Sequence, residues 1–371
     1  MTLRIVPAEY VFPGHPDKLC DAIADALVAE AIRHEPRALV GVEVAVHRNH
    51  AVVTGRIACR NANDINVDGI VRDIYRSAGY GDGWYPAAEE IEVDNRLCLG
   101  SLEEGEAEFR ELSDDQAICI GYAINLPQTN YLPVEHWVVR KLAQRLHRLR
   151  TERPNLSLGP DGKVIVFVRE KGTTWSLEGF SCSLQQREQA DDVALHRAVR
   201  LTIEEEMCRL ASIVPGLSSK LPDALTVNGA GAFDVGGPEG DNGLSGKKLV
   251  VDAYGPRVAI GGGAWSGKDF FKADRAGGLH ARRLAKLAVR LGLAEEARVT
   301  LGWFPGDRAA RVLQLLTEKG ELSASGVLTE MVDLSLARSG ERFSLPDTLI
   351  ELARWGHFAD SSMPWEKIDQ L

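Results

Sequence analysis

The sequence predicts an α+β fold built from three similar α/β blocks, and three observations carry that prediction. Helix-period and strand-period patterns alternate along all 371 residues. A helix followed by paired strands returns three times. Breaks near 100–112 and 228–233 separate the three occurrences, so the expected domains are residues 1–100, 112–230 and 231–371.

In the first block, "DKLCDAIADALVAEAI" places Leu19, Ile23, Ala26, Leu27 and Ala31 at three- and four-residue steps. That spacing makes one apolar helix face over about Asp17 to Ile32. Next, "LVGVEVAVHRNHAVVTGRIA" alternates Val40, Val42, Val44 and Val46 against Gly41, Glu43, Ala45 and His47, then breaks and resumes. A β-hairpin follows from it. In the second block a helix over 134–150 leads through Pro154 and a "GPDGK" turn (159–163) to strands at 164–168 and 175–184, then to a helix from Asp192 to about Ser212. The third offers a strand "KLVVDAY" (248–254), a helix from about Leu279 to Leu291 and a strand "RVTLGWF" (298–304). Trp137, Trp175 and Trp303 lie in apolar runs and are assigned to the core. The first break, "GSLEEGEAEFRELSDD", is acidic and expected to be exposed.

Composition narrows the function. Apolar residues at 44% and charged residues at 26% are ordinary for a globular chain. A net charge of -10 opposes non-specific binding to nucleic acid or to an anionic membrane. A small-molecule partner fits better. The six cysteines form no C-x-x-C pair and read as buried reduced thiols rather than a disulfide framework or a zinc site. With no apolar leader and no run of ~20 apolar residues, a cytoplasmic protein is expected.

The chemistry concentrates in two glycine-rich loops. Glycines 229, 231, 236, 237, 240, 243 and 246 fill the first, and "GGGAWSGKD" (261–269) forms the second. Gly262, Gly267 and Lys268 keep the G-x-x-x-x-G-K spacing of a phosphate loop, but Asp269 stands where the magnesium-binding Ser or Thr should be. Lys247, Lys248, Lys268 and Lys272, interleaved with Asp241, Asp269 and Asp274, suggest a different polyphosphate site in which magnesium bridges carboxylate and phosphate. "GHPDK" (14–18) adds His15, Asp17 and Lys18 just before the first helix. His47 and His50 read as exposed turn residues rather than metal ligands.

"GHPDK", "GYA" (121–123), "GPDGK", "FDVGGPEGDNGLSGKKLVVDAYG" (233–255), "GGGAWSGKD" with its trailing Lys272 and Asp274, and "GHF" to "PWEK" (356–367) resemble, in order, the motifs of the S-adenosylmethionine synthetase family. The resemblance spans nearly the whole chain. It implies three α+β domains with pseudo-threefold symmetry, and a homodimer, often paired into tetramers, with active sites between subunits. It implies that methionine sulfur attacks C5′ of ATP and releases tripolyphosphate, which is then hydrolysed, assisted by Mg2+ and K+. On this likeness His15, Lys163, Lys248, Lys268 and Lys272 hold the triphosphate. Asp161 contacts the ribose, Phe233 stacks near adenine, and Asp241 and Lys247 complete the ATP side. Asp17 and Asp274 bind Mg2+, and Glu43 serves K+.

Several positions depart from the family pattern. The glutamate expected to receive the methionine ammonium aligns with Arg56, two expected arginines are Ala232 and Lys247, Pro13 replaces a glutamate, and the usual mobile loop is not recognisable in 100–115. Two like charges ~4 Å apart cost about 4 kcal/mol at an effective dielectric near 20, or roughly a thousandfold in affinity. Either Arg56 favours an anionic group on a different acceptor, or it points away and a neighbouring acid such as Asp115 holds the ammonium. A non-catalytic regulatory paralogue is a further alternative. Survival of the presumed triphosphate cations argues against it.

Overall fold

The computed structural model describes residues 3–322 and 325–368. Strand β1 (Leu3–Val11) leads to helix α1 (Pro16–His34), the hairpin β2 (Leu39–His47) and β3 (His50–Ala58), helix α2 (Val67–Ala78) and strand β4 (Glu92–Gly100). Strand β5 (Ala117–Ile124) then precedes helix α3 (Val134–Glu152), the hairpin β6 (Leu158–Lys171) and β7 (Thr174–Gln186), helix α4 (Asp192–Ile213) and the short strand β8 (Thr226–Val227). The last third holds a helical turn α5 (Gly237–Gly240), strand β9 (Gly243–Leu244), a second turn α6 (Leu249–Asp252), helix α7 (Ala273–Arg290), the hairpin β10 (Glu296–Trp303) and β11 (Arg311–Thr317), and strand β12 (Gly320–Glu321). Helices α8 (Ser325–Met331), α9 (Leu336–Phe343) and α10 (Leu349–Trp355) close the chain.

One unit therefore recurs three times: a strand, a helix and a hairpin. Each helix packs on the sheet of its own hairpin, but each leading strand pairs with another unit's hairpin. β1 runs antiparallel to β6, β5 to β10, and β9 to β2. The exchange is cyclic. Three four-stranded sheets result, ordered β1-β6-β7-β8, β12-β11-β10-β5 and β4-β3-β2-β9. Each consecutive segment of the chain thus lends one strand to a neighbour's sheet, and the three units interlock.

Every sheet buries one face under helices. Val40, Val42, Val44 and Val46 point inward from β2 while Glu43 and His47 are exposed, which is the alternation a half-covered strand needs. Trp137, Trp175 and Trp303 are buried as expected. Among the described residues no helix is long and apolar enough to cross a membrane.

Four expectations need correction. Residues 159–163 are not a turn: β6 runs through them, with a bulge between Leu158 and Gly162 that turns Asp161 into the interior. "KLVVDAY" is not a strand, because the chain coils into α6 and carries Asp252 inward to Lys18. Of the thiols, Cys98 and Cys208 are exposed rather than buried, since they lie on outward positions of β4 and α4. The acidic break is not wholly exposed, because Arg110 within it is buried and ion-paired.

Candidate active site

His15 caps α1: its Nδ1 accepts the Asp17 N–H at 3.2 Å, one of the donors a helix start leaves open. Asp17, Asp21 and Asp25 follow at four-residue steps, so they share one helix face, and all three are buried. Each accepts a backbone N–H from a glycine-rich loop. Leu244 donates to Asp17 at 3.0 Å, Gly246 to Asp21 at 2.8 Å and Gly267 to Asp25 at 2.9 Å. This ladder of carboxylates fixes both loops against α1.

Sequence reasoning missed the ladder, although its signal was present as three acids in register on an otherwise apolar helix. Buried acids need partners, and these have strong ones. Arg275 clasps Asp25 with two bonds of 2.7 and 2.9 Å. Lys18, fully buried, donates to Asp252, to Asp21 at 3.4 Å and to the Ala353 carbonyl at 2.8 Å. Burial would strip its proton, but Asp252 and Asp21 outweigh burial and raise its pKa. Burial pushes Asp21 itself up to about 7.

A first half of the site surrounds the start of α1. Lys248 Nζ lies 2.8 Å from Asp17 and Lys247 Nζ 3.8 Å from it. Burial pushes the Asp17 carboxyl up, but the Lys248 bond and the Leu244 N–H overcome this and hold it below its ordinary value. Burial lowers His15 to about 4, with Asp17 opposing and Lys248 and Lys163 assisting, so the imidazole is neutral at pH 7. With Nδ1 accepting, its proton sits on Nε2 as a free donor.

Asp161 accepts the Gly237 N–H at 2.8 Å while its own N–H reaches Gln185 at 3.2 Å, and burial raises it to about 6. Lys163 pairs with Glu9 at 2.7 Å. The Phe233 ring is so close to Gly236 that an added Cβ there would lie 2.9 Å from it. Asp241, exposed on the following turn, acts electrostatically on both His15 and Asp161.

A second half surrounds the start of α7. Lys268 is bound to Asp274 and Lys272 to Asp114. Gly263 must lack a side chain, since a Cβ would stand 1.9 Å from the Asp274 carboxylate. Gly267, at φ +86°, lies so near the Val42 carbonyl that a Cβ would come within 2.3 Å of it. Asp115 is exposed and accepts the N–H of Gln116 at 2.7 Å. Glu43, exposed on β2, accepts the Ser245 hydroxyl at 2.5 Å.

Asp269 answers the broken phosphate-loop pattern. It is buried, accepts the Val40 and Phe271 N–H groups at 2.7 and 2.8 Å, and pairs with Arg110 at 2.8 Å. Its carboxylate braces the loop instead of facing a nucleotide. The two halves meet β2 at different points: Lys268 bridges to Gly41, and Leu244 pairs with Ala45. Four strand residues separate these points, roughly 13 Å.

Arg56 stands opposite Gly41 on β3. Its Nε and Nη2 donate to Glu106 at 3.1 and 2.9 Å, and Nη2 also reaches Glu103 at 3.3 Å and the Ser101 carbonyl at 3.0 Å. The guanidinium is thus tied to the acidic segment after β4. Among the described residues no three His, Cys, Asp or Glu side chains converge on a metal position. Single carboxylates such as Asp17 and Asp274 suit Mg2+ when phosphate oxygens supply its other ligands.

Comparison with known proteins adds independent findings. Family models for the N-terminal, central and C-terminal domains of S-adenosylmethionine synthetase match residues 4–99, 110–233 and 235–367. The chain is 31% identical to the S-adenosylmethionine synthase of Thermosynechococcus vestitus, covering 98% of this chain and 95% of that protein. It is 33% identical to the S-adenosylmethionine synthase of Corynebacterium jeikeium, over 100% of this chain and 97% of the relative.

Proposed function

The chain belongs to the S-adenosylmethionine synthetase family, and from that premise we propose that it transfers the adenosyl group of ATP to methionine. The sulfur lone pair forms a bond to C5′, the C5′–O bond breaks, and its electron pair leaves with tripolyphosphate, which water then hydrolyses to pyrophosphate and phosphate. Charge therefore builds on the leaving group. Fixed cations around it lower the barrier without a general base.

One observation carries this reading: each candidate lysine at the site is paired with an acid, Lys163 with Glu9, Lys248 with Asp17, Lys268 with Asp274 and Lys272 with Asp114. The acids hold the ammonium groups in position before ATP arrives. Triphosphate then takes the lysines, and the released carboxylates of Asp17 and Asp274 are free to hold Mg2+, with Glu43 available to K+. Bound there, the cations would neutralise phosphate charge. His15 donates from Nε2, Asp161 receives the ribose, Phe233 supports adenine, and Lys247 and Asp241 border the triphosphate.

The separation of the two halves along β2 supports a site completed by a second copy, the α1 half of one subunit facing the α7 half of its partner. Such a homodimer is the expected assembly, and the cytoplasm its expected setting. Incubation with ATP, Mg2+ and K+, with and without methionine, tests the activity by mass spectrometry of nucleoside products alongside phosphate and pyrophosphate. Methionine-dependent S-adenosylmethionine is expected. ATP left intact under all conditions would refute the proposal and favour a regulatory role.

A specific observation also favours a second reading on the acceptor side. By its alignment with the family's glutamate Arg56 would put a cation where the methionine ammonium binds, and Glu106 and Glu103 neutralise it. An acceptor with an anionic group could take Arg56 from those acids. Loss of triphosphate from ATP without methionine consumption would select this reading.

A further inference from the structure

On the far side of α7 from the candidate site lies a cavity of about 620 Å³ between α7, α8 and α9. Its volume is that of small-molecule pockets. Arg283 lines it, is 3% exposed, and is ion-paired with no carboxylate among the described residues. Its Nη1 reaches only the Asp333 carbonyl and His280 Nδ1, both at 3.3 Å, while the guanidinium lies 5.5 Å from the centre of the Phe343 ring.

A buried guanidinium normally has a carboxylate partner, because an uncompensated charge in the interior is costly. Asp333, whose carbonyl accepts from Arg283, commits its carboxylate to the Ser335 N–H at 2.9 Å and to Arg338 at 3.9 Å. His280 cannot supply negative charge, and Ser339 occupies its other nitrogen. Burial and the nearby Arg342 lower Arg283 to about 10, with Asp333 opposing them only in part. Met331 and Phe343 add apolar wall; of the three acids that also line the cavity, Asp333 and Glu341 face Arg338 at 3.9 and 3.6 Å, and Glu330 is the third.

We propose that this cavity binds a small organic anion, whose carboxylate or phosphate group meets Arg283 and Arg342 while its apolar body rests on Met331 and Phe343. Guanidinium groups match both headgroups through paired N–H donors. Arg283 follows Asp274 by nine residues on α7, roughly 14 Å along the helix. The cavity is a separate site from the one that holds triphosphate.

Calorimetric titration of the full chain with benzoate, phenyl phosphate and inorganic phosphate tests this, with tripolyphosphate present throughout to occupy the candidate active site. Saturable binding of benzoate or phenyl phosphate is expected, and whichever of the two binds more tightly identifies the headgroup. Inorganic phosphate, lacking the ring, should bind about tenfold more weakly than phenyl phosphate. Arg283→Met should lose at least about tenfold in affinity and Arg342→Gln about three- to tenfold, while Lys248→Ala should bind as the parent does. No saturable binding of any probe below ~10 mM, or unchanged affinity in Arg283→Met, overturns the proposal. Should Arg283→Met not fold, the exposed Arg342→Gln decides: undiminished affinity there overturns it equally.

Discussion

The two halves of the candidate site are built from the same residue types, lysine against aspartate, but at different depths. Around α1, Asp17 is 1% exposed, braced by the Leu244 N–H and held at the head of a buried ladder. Around α7, Lys268 and Asp274 are 22% and 21% exposed and hold mainly each other. Depth decides what a carboxylate can do. The buried Asp17 keeps its Leu244 N–H and can give up only Lys248, whereas the partly exposed Lys268–Asp274 pair can exchange its partner for a phosphate at small cost.

Asp269 sharpens this comparison most, because it lies in the α7 half by sequence yet is buried like the α1 acids. Asp269→Ala strands Arg110 as a buried charge and removes the acceptor for two N–H groups, and should destabilise by about 3–5 kcal/mol, read as a lower urea midpoint. A loss under about 1 kcal/mol would mean the loop does not depend on it. Lys268→Ala removes one partly exposed cation from the proposed triphosphate site, and kcat should fall about 10² to 10³ with the urea midpoint unchanged. A change below about threefold would displace Lys268 from the reaction.

Asp161 allows the α1 half to be probed by pH. Its carboxyl is raised in the folded chain to about 6, so the native state keeps a proton that the unfolded state has lost. Stability from this group is present below pH ~4 and is lost as pH rises through about 6. Asp161→Asn should remove a slope worth about 2–3 kcal/mol between those limits, seen as a flatter plot of urea midpoint against pH. Equal slopes in parent and variant would contradict the assigned burial.

The smallest expected effect is on the acceptor side. Arg56→Glu should lower the KM for methionine about tenfold while leaving kcat within about threefold, if the guanidinium opposes the ammonium. An unchanged KM would leave Arg56 as a latch for the acidic segment and nothing more.

Much of this was legible in the sequence because its signals are local. The bounds read for α1, β2 and α4 agree with the structure to within about two residues, although α1 is buried all round from Pro16 to Ala29 rather than on one face. The cyclic exchange of β1, β5 and β9 was not legible, since strand pairing across more than a hundred residues leaves no mark in a period-2 pattern. Asp269 and Lys268 are adjacent and both charged, yet one faces the core and the other the site. Only the fold around them separates the roles. Arg56 was legible as an anomaly, but its partners Glu103 and Glu106 come from a segment with no strong periodicity.

The central claim, that the α1 half of one chain completes the α7 half of another, is tested most directly by mixing two inactive variants. Lys248→Ala damages one half and Lys268→Ala the other, so a mixed dimer carries both lesions in one site and none in its second. Subunit exchange between them should restore about a quarter of the parent activity, from the statistical share of mixed dimers and their one intact site. Mixed dimers that form, as separately tagged subunits would reveal, and yet remain inactive would contradict a shared site.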